Sequence, residues 1–110
     1  MNHKIIKTKD TLFVIIDGEK CTTRKDLFQT FQESMSFPDY FGHNLDALFD
    51  MLTDLNWLVY EHIYIIILHP DTLCQNTHIE KEELTELFEL ANVEQLENKE
   101  IRLFFSDFHE

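Results

Sequence analysis

Apolar positions along this chain follow two rhythms, and each predicts a different element. Runs rich in β-branched and aromatic residues mark strands; apolar residues recurring every three to four positions mark helices. Thr11–Ile16 (TLFVII) is of the first kind and stops at the turn signal Asp17-Gly18. A short edge strand over Lys4–Ile6 precedes it. Thr22-Thr23 then offers an N-cap, Asp26 sits favourably in the first turn, and Leu27, Phe28, Phe31 and Met35 recur at near-helical spacing. The first helix therefore covers about Arg24–Met35 and ends before Pro38, which disfavours helical geometry at Phe37.

Asp39-Tyr40-Phe41-Gly42 reads as a loop and Asn44 as the N-cap of a second helix. Leu45, Leu48, Phe49 and Leu52 give that helix its apolar stripe, and it ends near Asp54–Asn56. Tyr60–Leu68 (YEHIYIIIL) is the strongest strand, and its unbroken IYIIIL run predicts a central strand buried on both faces. His69-Pro70 ends it. Asp71–His78 reads as a connecting loop. A third helix runs from about Glu80 to Ala91 on Leu84, Leu87, Phe88 and Ala91, with Glu82, Glu83, Glu86 and Glu89 on its remaining positions. Val93–Glu97 adds a turn, and Ile101–Phe105 (IRLFF) is the last strand. The order β-α-α-β-α-β predicts an α/β fold with a parallel sheet and right-handed crossovers. With no repeat or Pro/Gly/Ser-rich linker, residues 1–110 read as one domain, the expected outcome at this length.

Charge changes the picture more than composition does. The net charge is −12, which makes nucleic acid and anionic membranes poor partners and basic surfaces good ones. Residues 1–25 hold six Lys/Arg against three acids; residues 26–110 hold three against eighteen. No Lys or Arg falls between Lys25 and Lys81, a stretch with nine acids. The N-terminus lacks the apolar run of a signal peptide, and Leu58–Leu68 is too short and too interrupted to span a bilayer. Two cysteines make no disulfide framework, so a reducing cytoplasm is the expected compartment.

Asp46, Asp50 and Asp54 fall at i, i+4 and i+8, on one face of the second helix. Like charges so placed cost roughly 0.2–0.5 kcal/mol per pair. A solvated face that tolerates the cost is one reading; a negative ridge aimed at a cationic pocket is the other. Tyr40, Phe41, Phe49 and Trp57 lie around the ridge, and aromatic area beside charge is what a binding hot spot needs. Enzyme signals are weak. No metal-binding histidine pattern, Gly-rich phosphate loop or nucleophile elbow occurs, so no cofactor or metal is expected. Cys21 precedes a helix start, which would lower its pKa, but it has no clear base partner.

The segments IDGEK (Ile16–Lys20), DLFQTF (Asp26–Phe31) and FPDYFGHNLDALFDMLTD (Phe37–Asp54) resemble the barstar family, small acidic inhibitors of bacterial ribonucleases. The resemblance is firm over about 40 residues and elsewhere rests on the order of elements. It implies a three-stranded parallel sheet packed against three or four helices. It also implies that the second helix and the loop before it plug a nuclease active site in a 1:1 complex. Carried over, Asp50 takes the place of a substrate phosphate, Asp46 is a second acidic contact, and Tyr40 packs against a catalytic histidine of the target. Gly42, Asn44 and Thr53 shape the contact surface.

This chain has Phe41 where the family has a tyrosine, and Phe49 where it has a tryptophan. It has Asp54-Leu55 in place of a Gly-Trp, with Trp57 displaced, and Leu90 beside Glu89 where a third-helix glutamate contacts the nuclease. The expected partner surface is Tyr40, Phe41, Gly42, His43, Asn44, Asp46, Phe49, Asp50, Thr53, Asp54, Trp57 and Glu89. The expected partner is a basic ribonuclease or nuclease toxin. The alternatives are an interaction module of the same fold without a nuclease target, and a small enzyme built on His43 or Cys21.

Overall fold

The computed structural model describes residues 2–106. Strand β1 (His3–Lys7) turns through Thr8–Asp10 into β2 (Thr11–Asp17). Helix α1 (Arg24–Met35) and helix α2 (Leu45–Asp54) lead to β3 (His62–Leu68). Helix α3 (Pro70–Thr77) and helix α4 (Lys81–Val93) lead to β4 (Glu100–Ser106). The sheet order is β1-β2-β3-β4. β2, β3 and β4 run parallel, and β1 pairs antiparallel with β2, so the sheet is mixed.

Two sequence expectations need correction. Asp71–His78 is no loop: Pro70–Thr77 is helical, with Pro70 in the first turn. Proline there lacks only a donor that has no intrahelical partner anyway, so His69-Pro70 ends the strand and also starts a helix. Leu73 and Thr77 of this helix are buried.

The second correction concerns β3. It is central, but only one of its faces is deeply buried: Ile63, Ile65 and Ile67 are fully covered while His62, Tyr64, Ile66 and Leu68 are partly exposed. The reason is topological. When strand order follows chain order, right-handed crossovers place every helical connection on the same face. Leu12, Val14, Ile16, Ile63, Ile65, Ile67 and Ile101 share the core with Leu27, Phe28, Phe31, Leu48, Leu52, Leu84 and Phe88 of the helices. On the opposite face Phe13, Tyr64 and Phe104 pack ring against ring, with centroids 5.6 and 6.0 Å apart. The apolar character of IYIIIL thus serves a core on one side and a half-exposed aromatic surface on the other.

Candidate functional site

The segment from Ser36 to Asn44 is held from below. Ser36 closes α1 in the left-handed region (φ 56°), and its N–H donates to Gln32 O. The Gln32 amide donates to Pro38 O, and Phe41 N donates to the same oxygen. Phe37 and Phe41 point into the core, 5% and 4% exposed, with ring centroids 4.9 Å apart. Trp57 braces them: its indole donates to Met35 O at 2.9 Å and its ring stands edge-on to Phe37. With those rings turned inward, Tyr40 is left outside, 73% exposed. Phe41, expected at the partner surface, is therefore a buried support of that surface, and the half-buried Trp57 has its polar atom already engaged.

Asn44 joins the loop to α2. Its side-chain oxygen accepts from Ala47 N at 2.8 Å, and its amide donates to Gly42 O at 3.1 Å. A Cβ at Gly42 would sit 3.3 Å from the Asn44 amide nitrogen and 3.4 Å from Ala47 Cβ, so a side chain there would press only lightly on the capping Asn44. The left-handed residue of this turn is His43 (φ 52°), whose ring lies over Phe41. Leu48, Met51 and Leu52 seat α2 in the core, which leaves Asp46 and Asp50 exposed and Asp54 and Phe49 partly so. Among the described residues, none of the three aspartates is in an ion pair. Thr53 turns its hydroxyl back to Asp50 O.

The far end of α2 is closed from another part of the chain. The buried Gln95 donates its amide to Leu52 O, Thr53 O and Asp54 O, at 3.0, 3.2 and 3.1 Å. Leu96 N also donates to Thr53 O. Sequence reasoning missed Gln95; a lone glutamine after a helix carries no pattern that announces a cap 40 residues away.

Helix α4 lies beside α2 and presents two flanks. Glu83, Glu86, Leu87 and Leu90 line a groove with Leu45, Asp46 and Phe49. Thr85, Glu89 and Asn92 line a separate cleft against β4. Glu89 thus falls away from the aspartate ridge, and Glu86, read in the sequence as ordinary helix surface, falls beside it.

This arrangement can be compared with known proteins. The family model for barstar, described as the barnase inhibitor, matches residues 11–106. The chain belongs to the barstar family. It is also similar to a Bacillus subtilis (strain 168) protein named "Putative ribonuclease inhibitor YrdF", 45% identical over 40 residues, which are 36% of this chain. The matched stretch spans 44% of that relative's length.

The barstar family is an inhibitor family, and the two enzyme-like features read from the sequence find no support in the geometry. Cys21 is fully buried, and burial pushes its thiol pKa up, opposite to the lowering its place before a helix suggested; Thr30 lies 3.9 Å from the sulfur. His43 is engaged with Phe41 rather than with an acid. Among the described residues, Asp10, Glu61 and His62 bring potential metal ligands within 4.8 Å of one another. They sit at the β1–β2 turn and the start of β3, not on α2, and His62 Nδ1 is already paired with Glu100 at 2.8 Å. Among the described residues, no helix is long and apolar enough to cross a membrane.

Proposed function

We propose that this protein inhibits a basic bacterial ribonuclease or nuclease toxin by placing the loop-helix Tyr40–Asp54 over its active site. The observation that carries the reading is the ridge itself: Asp46, Asp50 and Asp54 on one helix face, beside an exposed Tyr40. Carboxylates spaced along a helix can meet the cations that bind the phosphates of RNA, and an exposed tyrosine ring can cover a catalytic side chain. The loop's internal hydrogen bonds and buried Phe37 and Phe41 hold this surface ready, so little ordering cost remains at binding. Membership of the barstar family supports the same partner class. The proposed setting is the cytoplasm, in keeping with the two free thiols Cys21 and Cys74.

The charge distribution adds a kinetic expectation. A ridge without local counter-cations steers a basic partner toward itself, so association should be fast at low salt and slow as salt rises. The test is inhibition of barnase and of a panel of basic nuclease toxin domains, followed by Asp50→Ala on any pair that inhibits. A hot-spot truncation costs about 2 kcal/mol or more, so affinity should fall at least ~30-fold. Unchanged inhibition by the Asp50→Ala protein would remove Asp50 from the contact.

A further inference from the structure

We infer that the open face of the sheet is where two copies of this chain meet, stacked face to face as a weak, reversible dimer. The strand register places six apolar side chains there in two adjacent rows. Ile15, Ile66 and Phe104 lie side by side in one row, with Lys4 next to Ile15 on β1. Ile6, Phe13 and Tyr64 form the other, with Arg102 next to Tyr64 on β4. Ile6 is 46% and Phe104 49% exposed, and the four between them are half-buried. Apolar surface that runs across all four strands has a cost in water and marks a contact surface.

Charge selects the occupant. The two rows carry Lys4 and Arg102 and no acid. Glu100, one row further along β4, is already met by Tyr64, His62 and Arg102. A basic partner, the kind that a net charge of −12 draws elsewhere, is repelled here, and an acidic one is not. This chain is itself acidic. Stacking sheet on sheet also keeps both sets of acidic helices on the outside, as far apart as two copies can hold them.

The face also fits its own image. Lys4 and Arg102 stand at diagonally opposite corners of the two rows. In aligned sheets related by a two-fold axis, along the strands or across them, each cation therefore falls over Ile6 or Phe104 of the other copy and never over a cation. A cation over the Phe104 ring is attracted to it. The sheet face measures about 19 by 23 Å, at ~4.8 Å per strand and ~3.3 Å per residue, so two stacked copies bury roughly 900 Å² together. Stable interfaces bury about 1,200–2,000 Å², which makes this contact a weak one. It leaves the α2 aspartates uncovered on the helical side, and it does not depend on the inhibitor reading.

The test is sedimentation velocity of the full chain from about 10 µM to about 1 mM, a range that brackets a weak dimer, with NMR of its Ile, Leu and Phe side chains. The sedimentation coefficient should rise with concentration. Ile6, Ile15, Ile66 and Phe104 should shift with it, while Leu87 and Leu90 on the helical side stay still. Added salt should strengthen the dimer, because it screens the repulsion between two chains of −12, whereas it weakens binding of a basic nuclease. Ile6→Lys and Phe104→Lys, both at exposed positions, should each weaken self-association at least about tenfold, the factor that losing one apolar side chain forfeits. Thermal unfolding of the dilute Ile6→Lys protein should match wild type.

A monomer at millimolar concentration, with no shifts at these side chains, overturns the inference, as do shifts confined to α2 and α4. Leu103 and Phe105 alternate with Ile101 on the outer side of β4, where Ile101 N donates to Asn92. Amide protection gained at Leu103 and Phe105 without shifts at Ile15 and Ile66 would mean that β4 edges pair instead, and also overturns it. Wild-type shifts decide the matter even where a lysine variant fails to fold. None of these outcomes depends on whether a nuclease is inhibited.

Discussion

At the residue scale, single positions hold the chain in shapes their types do not prefer, or leave no alternative. Gly18 follows β2 in a one-turn helix that packs under the end of β3. A Cβ there would press into the carbonyl oxygens of Leu68 and His69 and meet Leu73 Cβ at 3.0 Å. Two of those neighbours are backbone and cannot swing aside. Gly18→Ala should therefore cost about 2–3 kcal/mol, as overpacking does. Thermal unfolding checks it, with ~4–8 °C lost per kcal/mol at this size; a shift under 4 °C would mean that the turn yields. Conversely, Ser36, His43, Leu55, His69, His78 and Asn98 all take positive φ without being glycine. Leu55, which closes α2 at φ 51°, is fully buried, and burial offsets a backbone cost of about 1–2 kcal/mol. The usual glycine signal for helix ends is absent from this sequence, which is one reason its helix boundaries are hard to read from it.

At the element scale, α2 owes its orientation to what closes its two ends. Asn44 closes the first from within the local sequence, as a good N-cap should. Gln95 closes the second from the segment after α4. Its other side-chain atom, the oxygen, accepts from Glu97 N and Lys99 N, so one glutamine fixes both the end of α2 and its own loop. Gln95→Ala leaves those carbonyls without the buried amide and should cost about 1–3 kcal/mol. Urea unfolding measures this, and Asp46, Asp50 and Asp54 should become less well ordered with it by hydrogen exchange of α2. An unaltered midpoint would show that water replaces the amide at no cost. The helical pattern of α2 was legible because its stripe and its cap lie within a dozen residues. α3 was not, because Pro70 reads equally as the end of a strand and the start of a helix.

At the scale of the whole molecule, the two faces of the sheet differ in chemistry as well as in cover. The open face carries a polar cluster beside its aromatic rings. Glu100 accepts from the Tyr64 hydroxyl, His62 Nδ1 and Arg102 Nε, and these bonds, the tyrosine's first, hold its carboxyl down to about 2 from the ordinary 4.5. The same contact raises the Tyr64 pKa. A carboxylate held down on folding stabilises the protein above its unfolded value and loses that contribution as pH falls from about 4.5 through about 2. Wild type should therefore exceed Glu100→Gln in melting temperature at pH 6, and the gap should narrow across that window. A gap that persists unchanged at pH 2.5 would show that the carboxylate is not held down.

The sequence by itself determined the chemistry of the candidate site, because the Asn44 cap, the apolar stripe and the spaced aspartates are all set by positions within one helix. It also determined the strands, whose apolar runs are local. Only the tertiary structure decided that one face of the sheet stays open, that Phe41 turns inward and Tyr40 outward, and that Glu86 rather than Glu89 stands beside the ridge. Those outcomes depend on which elements pack side by side, and that is settled by long-range burial rather than by any local pattern.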